Sequence, residues 1–299
     1  MRTSGCRRSR YSTLSRGSPS TIKTIAPADR THPSAHSAAV DHWADHLSAH
    51  IGDRHTNRTL GPRLPLIDAD LTALTRAVMS VDGARVQWLT DETALARLGD
   101  IAGACDRLRI LHPQMHREMF HELRWSREEV ELRGDGIDVA TLSLSASDML
   151  GLRLAGRASA IELVRQWGAG RNLDKLSRKY IVASSAVGLI TMPAARAADY
   201  FNGGRAIERM WLTATERGLA VHPITTAPYL FARLVRKSGQ GLDEAVIAEL
   251  HVLRREYIGL FDVADVSGEV LLFRVSQSPA AATRSTRRPL DDVLVRAHE

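Results

Sequence analysis

Residues 186–192 read Ala-Val-Gly-Leu-Ile-Thr-Met, a run without a charged side chain. A strand with one wet face alternates apolar and polar residues, because successive side chains point to opposite sides. This run is apolar on both sides. It therefore predicts a central strand covered from above and below. A second apolar strand is read in EVLLFRVS (269–276), and ARVQWLT (84–90) reads as a third. Most of the remaining chain has helical periodicity.

Several helices follow from spacing. Leu71, Leu74, Ala77 and Val78 share one helical face, as do Leu95, Leu98, Ala102, Cys105 and Leu108. QMHREMFHELRW predicts a further helix. The next one opens on a capping box in SREE, where Ser126 answers Glu129. GDGID predicts a turn. RASAIELVRQWGAG predicts a helix burying Ile161, Val164 and Trp167. Helices are also expected over 196–201, 204–217, 226–237 and 242–258. Few strands among many helices predict a sheet covered by helices on both faces. No repeat is visible at solenoid periods.

Charge is unevenly placed. The 299 residues carry a formal +6. Residues 1–40 hold seven Lys or Arg and one acid, which accounts for the whole surplus. The neutral body argues against nucleic-acid binding. Residues 1–45 are rich in Ser, Thr and Arg and poor in large apolar side chains, so they are expected to form a disordered tail before a domain at 46–299. RRSRY is not followed by an apolar region, which argues against a secretion signal. No apolar run reaches membrane-spanning length, and Cys6 and Cys105 lie far apart. A reducing, cytoplasmic setting is expected. Histidines 42, 46 and 50 share one helical face, and this pattern reads as a polar face rather than a metal site.

Common catalytic signatures are missing. The sequence has no Gly-x-Ser-x-Gly elbow, no His-Glu-x-x-His, no Walker loop and no complete Rossmann fingerprint. Two arginine clusters remain as anion-binding candidates. RHTNR places Arg54 and Arg58 four apart with Thr56 between them, on one side if a helix starts there. TRSTRR contributes Arg284, Arg287 and Arg288. Guanidinium forks suit phosphate oxygens. A solvated arginine-rich face has the same composition, and the local pattern leaves both readings open.

The third feature is GGRAIERMWLTATERGLAVHP, residues 203–223. Ile207, Met210, Trp211 and Ala214 form the apolar stripe of a helix. Gly218 fits the left-handed position after its end, with Leu219 as the closing apolar residue. The pair Gly203–Gly204 is read as a turn, with a second glycine free to approach a ligand closely.

These segments, together with DGIDVATLSLS and HREMFHELRWS, resemble the FMN-dependent nitroreductase family over roughly residues 50–290. The similarity is greatest to its two-lobed Acg-type branch, which includes relatives fused to a ThiF/MoeB-like domain. The resemblance implies an α+β fold with a mixed sheet sandwiched between helices. It implies FMN at the interface of two subunits or two lobes, and NAD(P)H as co-substrate. Arg54, Thr56 and Arg58 would grip the FMN phosphate, with Arg284, Arg287 or Arg288 completing the grip. Gly218, Leu219 and Ala220 would lie near the flavin. Hydride would pass by way of FMN to a nitroaromatic, quinone or similar acceptor, with no catalytic side chain and no metal. The branch's Ser-x-x-Asn-x-Gln-Pro-Trp motif is absent from this sequence. That departure implies that the N-terminal lobe is lacking, so that a second copy or lobe completes the site, or flavin binding is weak, or the chain is an FMN-binding or remnant lobe without turnover.

Overall fold

The computed structural model describes residues 46–264 and 267–294. The tail expected at 1–45, with His42 and Cys6, lies outside them. In chain order the elements begin with α1 (Asp68–Met79), β1 (Arg85–Leu89), α2 (Glu92–Leu111) and α3 (Pro113–His121). Next come β2 (Leu123–Arg124), α4 (Arg127–Arg133), β3 (Ile137–Asp138), α5 (Ala146–Ala155), α6 (Ala158–Gln166) and α7 (Lys175–Val182). The chain continues through β4 (Ala186–Met192), α8 (Ala197–Glu216), β5 (Ala220–Ile224), α9 (Thr226–Lys237), α10 (Glu244–Phe261), β6 (Gly268–Ser276) and α11 (Leu290–Val293).

Four strands form one sheet in the order β1-β4-β6-β5, antiparallel at every pairing. Parallel pairing among the described residues is confined to the two-residue ladder of β2 with β3. The uncharged run is an interior strand, as its composition requires. Val187 and Leu189 face a core built with α2, α7, α9 and α10. Ala186, Ile190 and Met192 face a second core built with α1 and α8. The chain thus has the α+β layering expected of it, a sheet between helices.

Gly188 shows how tightly the second face is packed. Its register partners are Trp88 on one side and Phe273 on the other. Those rings meet edge to face at 5.5 Å. A Cβ at Gly188 would stand 2.6 Å from Phe273 and 2.7 Å from Trp88. The bare glycine leaves the space that the aromatic pair fills.

The glycine pair at 203–204 is not a turn. It lies inside α8, a single helix of 20 residues where two were expected. A Cβ on Gly203 would come within 2.7 Å of both Val270 methyl carbons. Gly203 therefore lets the helix close onto β6, and what it approaches is a strand rather than a ligand. Gly204 faces open space. At the other end Gly218 has φ +66°, and Leu219 N–H donates to Ala214 O at 2.8 Å, closing the expected cap.

Two smaller expectations change. Trp167 is 75% exposed rather than buried, because α6 packs through Ile161 and ends before Trp167 can turn inward. Ser126 caps α4 through Glu129 N–H, but the Glu129 carboxylate bonds Trp125 N–H, one residue before the cap.

Candidate functional site

The end of α8 and the start of β5 form one wall of an open cleft of about 400 Å³, through Thr215, Gly218, Leu219 and Ala220. The opposite wall comes from two segments far apart in the sequence. Residues 50–57 supply His50, Asp53, His55 and Asn57, and the returning strap supplies Ser278, Ala280 and Arg284. The volume falls within the range of small-molecule pockets. Among the described residues no group of three or more His, Cys, Asp or Glu could hold a metal.

Residues 54–67 have no helical structure, so Arg54 and Arg58 do not share a helical face. Asn57 fixes the segment. Its N–H donates to Val221 O at 2.9 Å, extending the β5 edge, and its side-chain amide donates to Pro279 O at 2.9 Å. Arg54 sits over Trp211, its guanidinium carbon 4.9 Å from the ring centroid. Its Nε is 3.0 Å from Glu208 Oε1, as an ion pair that does not make a hydrogen bond. Trp211 is itself buried on the apolar stripe, as expected.

The C-terminal arginines divide. Arg284 pairs with Asp53 at 3.2 Å at the cleft wall. Arg287 donates to the carbonyls of Ile51 and Arg54, both at 2.7 Å, and so pins the strap to segment 51–54. Arg288 is exposed. Arg54, Arg284 and Arg287 are thereby gathered around segment 51–54, and Gly218, Leu219, Ala220 and Arg284 share the cleft. Thr56 is half-buried in the same segment.

Arg58 points elsewhere. It donates to the carbonyl and hydroxyl of Thr141 at 3.5 and 3.4 Å. It belongs to an interior polar group with Arg274, His222 and Tyr180. Arg274 is fully buried on β6 and donates from Nε to His222 Nδ1 at 3.1 Å. Its other nitrogens bond Ser276 Oγ and the carbonyls of Asn57 and Thr59. Burial lowers the Arg274 guanidinium to about 10. Burial also lowers Arg58, offset in part by Tyr180. His222 is held well below the ordinary imidazole value, first by burial and then by Arg274 and Arg58.

The cleft suits an anionic, phosphate-bearing group such as FMN. His55 Nε2 and Ser278 Oγ, both in the cleft wall, are buried without a hydrogen-bond partner. Buried polar atoms are ordinarily satisfied, so two such atoms beside Arg284 leave bonding capacity for a ligand. The ion pairs of Arg54 and Arg284 are at least partly exposed and of little intrinsic worth, about 0–1 kcal/mol each.

Sequence reasoning missed His50, Asp53, His55 and Ser278. His55 stood inside the quoted RHTNR motif. Its place in the cleft wall beside Ser278, 223 positions on, is nothing a local pattern reports.

No family model matches the chain. Over 238 residues, 79% of its length, the chain is 32% identical to an uncharacterized protein of Mycobacterium tuberculosis (strain CDC 1551 / Oshkosh). The match takes in 32% of that protein, so the chain spans about a third of the length of the curated relative it matches. Among solved structures it is similar to a nitroreductase with bound FMN from Bacteroides fragilis NCTC 9343, at 12% identity and TM-score 0.43, covering 84% of this chain and 98% of that one. It is also similar to an oxidized iodotyrosine deiodinase bound to FMN and 3-iodo-L-tyrosine, at 12% identity and TM-score 0.47, covering 85% and 99%. A third similarity is to the NADPH:FMN oxidoreductase from Vibrio harveyi complexed with NAD+, at 9% identity and TM-score 0.45, covering 85% and 77%.

Proposed function

We propose that this chain is a flavin-dependent oxidoreductase of nitroreductase type, with FMN as cofactor and NAD(P)H as co-substrate. The observation that carries this reading is the cleft itself. Residues from RHTNR, from GLA at 218–220 and from TRSTRR meet there although they are spread over the whole chain. Bound FMN supplies hydride transfer from NAD(P)H to a nitroaromatic, quinone or similar acceptor.

The chain's own residues bind and orient. Arg284 and Arg54 neutralise the phosphate once Asp53 and Glu208 release them. His55 Nε2 and Ser278 Oγ take up the remaining phosphate oxygens. Gly218 lets the backbone come close to a flat ring, since its left-handed φ and missing Cβ clear the wall. Arg58 sits on the interior side and is assigned no phosphate contact.

A second reading is a lobe that binds FMN without turnover. The openness of the cleft and the absence of the Ser-x-x-Asn-x-Gln-Pro-Trp string favour it. A second copy or lobe would then supply the missing wall. The absorbance spectrum separates the two. Yellow protein bleached by NAD(P)H supports the oxidoreductase, and yellow protein that resists bleaching supports the silent lobe. Colourless protein that ignores added FMN sinks both. Arg54→Ala with Arg284→Ala is expected to weaken FMN binding tenfold or more, since each charge-assisted bond contributes roughly 1.5–3 kcal/mol. Unchanged affinity in a flavin titration would remove these residues from the site.

A further inference from the structure

Apart from the cleft, a smaller cavity of about 130 Å³ lies beside β5, reached from α2, α7 and the start of α9. Asp106, Ser177, Tyr180 and His222 line it, with Thr226 at the start of α9. Its chemistry is polarised by two fixed features.

The first is a locked histidine. Arg274 can only donate, so His222 Nδ1 must carry a lone pair. The ring proton then sits on Nε2, and the imidazole presents a neutral N–H donor. Arg274 and Arg58 add positive charge beside it, and among the described residues no carboxylate bonds either guanidinium. Tyr180 stands edge-on to His222 at 5.6 Å, with its hydroxyl committed to Leu142 O at 2.8 Å, so the imidazole cannot swing away.

The second feature is a buried acceptor. The Asp106 carboxylate is held by the hydroxyls of Ser177 and Thr226. Thr226 in turn takes a long bond from Arg109 at 3.5 Å. The cavity therefore holds both an acidic acceptor and an N–H donor backed by positive charge. A net anion meets Asp106, and a net cation meets Arg58 and Arg274. Either class leaves a charge opposed in a partly dehydrated space.

We propose that this cavity is a binding site for a small, neutral, planar amide or imide, with C=O accepting from His222 Nε2–H and N–H donating to Asp106. Such a group can satisfy both side chains and carries no net charge for either to repel. The assignment does not rest on the flavin reading, because none of the residues placed at the FMN phosphate lines this cavity.

Benzamide, benzoate and benzamidine test it, being near-identical in shape and differing in charge. The full chain with ¹⁵N-labelled histidine is titrated with each in turn. The His222 signal is expected to show a neutral Nε2–H tautomer and to move with benzamide. Benzoate and benzamidine are each expected to bind about tenfold more weakly, the difference one charge-assisted hydrogen bond makes. His222→Phe is expected to reduce benzamide affinity by a similar factor, and Arg54→Ala to leave it unchanged. Equal binding of all three probes, no response to any, or an Nδ1–H tautomer would overturn the proposal. If His222→Phe does not fold, the three-probe comparison on the unaltered chain decides.

Discussion

At the scale of single residues, His222 has a measurable consequence for stability. Its folded-state proton affinity is lowered by burial and by Arg274 and Arg58. The unfolded chain binds a proton near pH 6.5 that the folded chain refuses, so stability rises with pH through that region and falls below it. His222→Gln removes this term. The drop in Tm between pH 7.5 and 5.5 is expected to be smaller in that variant than in the parent. An equal drop would mean that other histidines carry the acid sensitivity. The arginines teach a related lesson. Arg54, Arg58, Arg284, Arg287 and Arg288 look equivalent in sequence, yet they become a stacked ion pair, an interior donor, a cleft residue, a backbone staple and a solvated side chain. Composition identified a guanidinium at each position. Which carbonyl or carboxylate it meets is decided by segments about 80 to 230 residues away.

At the scale of elements, α8 separates what local physics determines from what packing determines. The apolar stripe through Met210 and Trp211 and the cap at Gly218 were legible because helix period and left-handed φ are local properties. The interior glycines read as a turn in the sequence because their reason lies across the chain. Gly203 is set by Val270 on β6, and Gly204 by nothing within 4 Å. The two neighbours should therefore respond oppositely to alanine. Gly203→Ala forces its new methyl into Val270 and is expected to cost about 1–3 kcal/mol. Gly204→Ala is expected to stabilise by up to about 1 kcal/mol through helix propensity. Denaturant melts of the two variants check this directly. Loss of stability in both would show that the helix needs flexibility at this point. The sheet was more legible than the helices that cover it. A run apolar on both sides has few places to go, whereas QMHREMFHELRW kept its helical pattern past the point where Leu123 and Arg124 pair with β3.

At the scale of the whole molecule, the cores and the cleft are built differently. Both cores draw on strands and helices from residue 66 to residue 275. The cleft depends on a few polar ties between the strap and segment 50–57: Arg287 to two carbonyls, Arg284 to Asp53 and Asn57 to Pro279. Among the described residues no helix is long and apolar enough to cross a membrane. Arg287→Ala is expected to lower global stability little, by about 1 kcal/mol, while exposing the strap. Limited proteolysis should then cut within 277–289 faster than in the parent, with cleavage of the sheet unchanged. Equal rates would place the hold on the strap elsewhere.

The tie between Arg287 and Arg54 joins positions 233 residues apart. The last strand of the sheet ends at Ser276, before any residue of the strap. The sheet and both cores therefore contain no residue of the strap, while the cleft wall does. The ligand site closes only when the late segment folds back onto one of the earliest. Ligand capture thus reports that the strap has docked as well as that the sheet has formed, and a flavin or any other occupant would find its wall only on molecules in which both have happened.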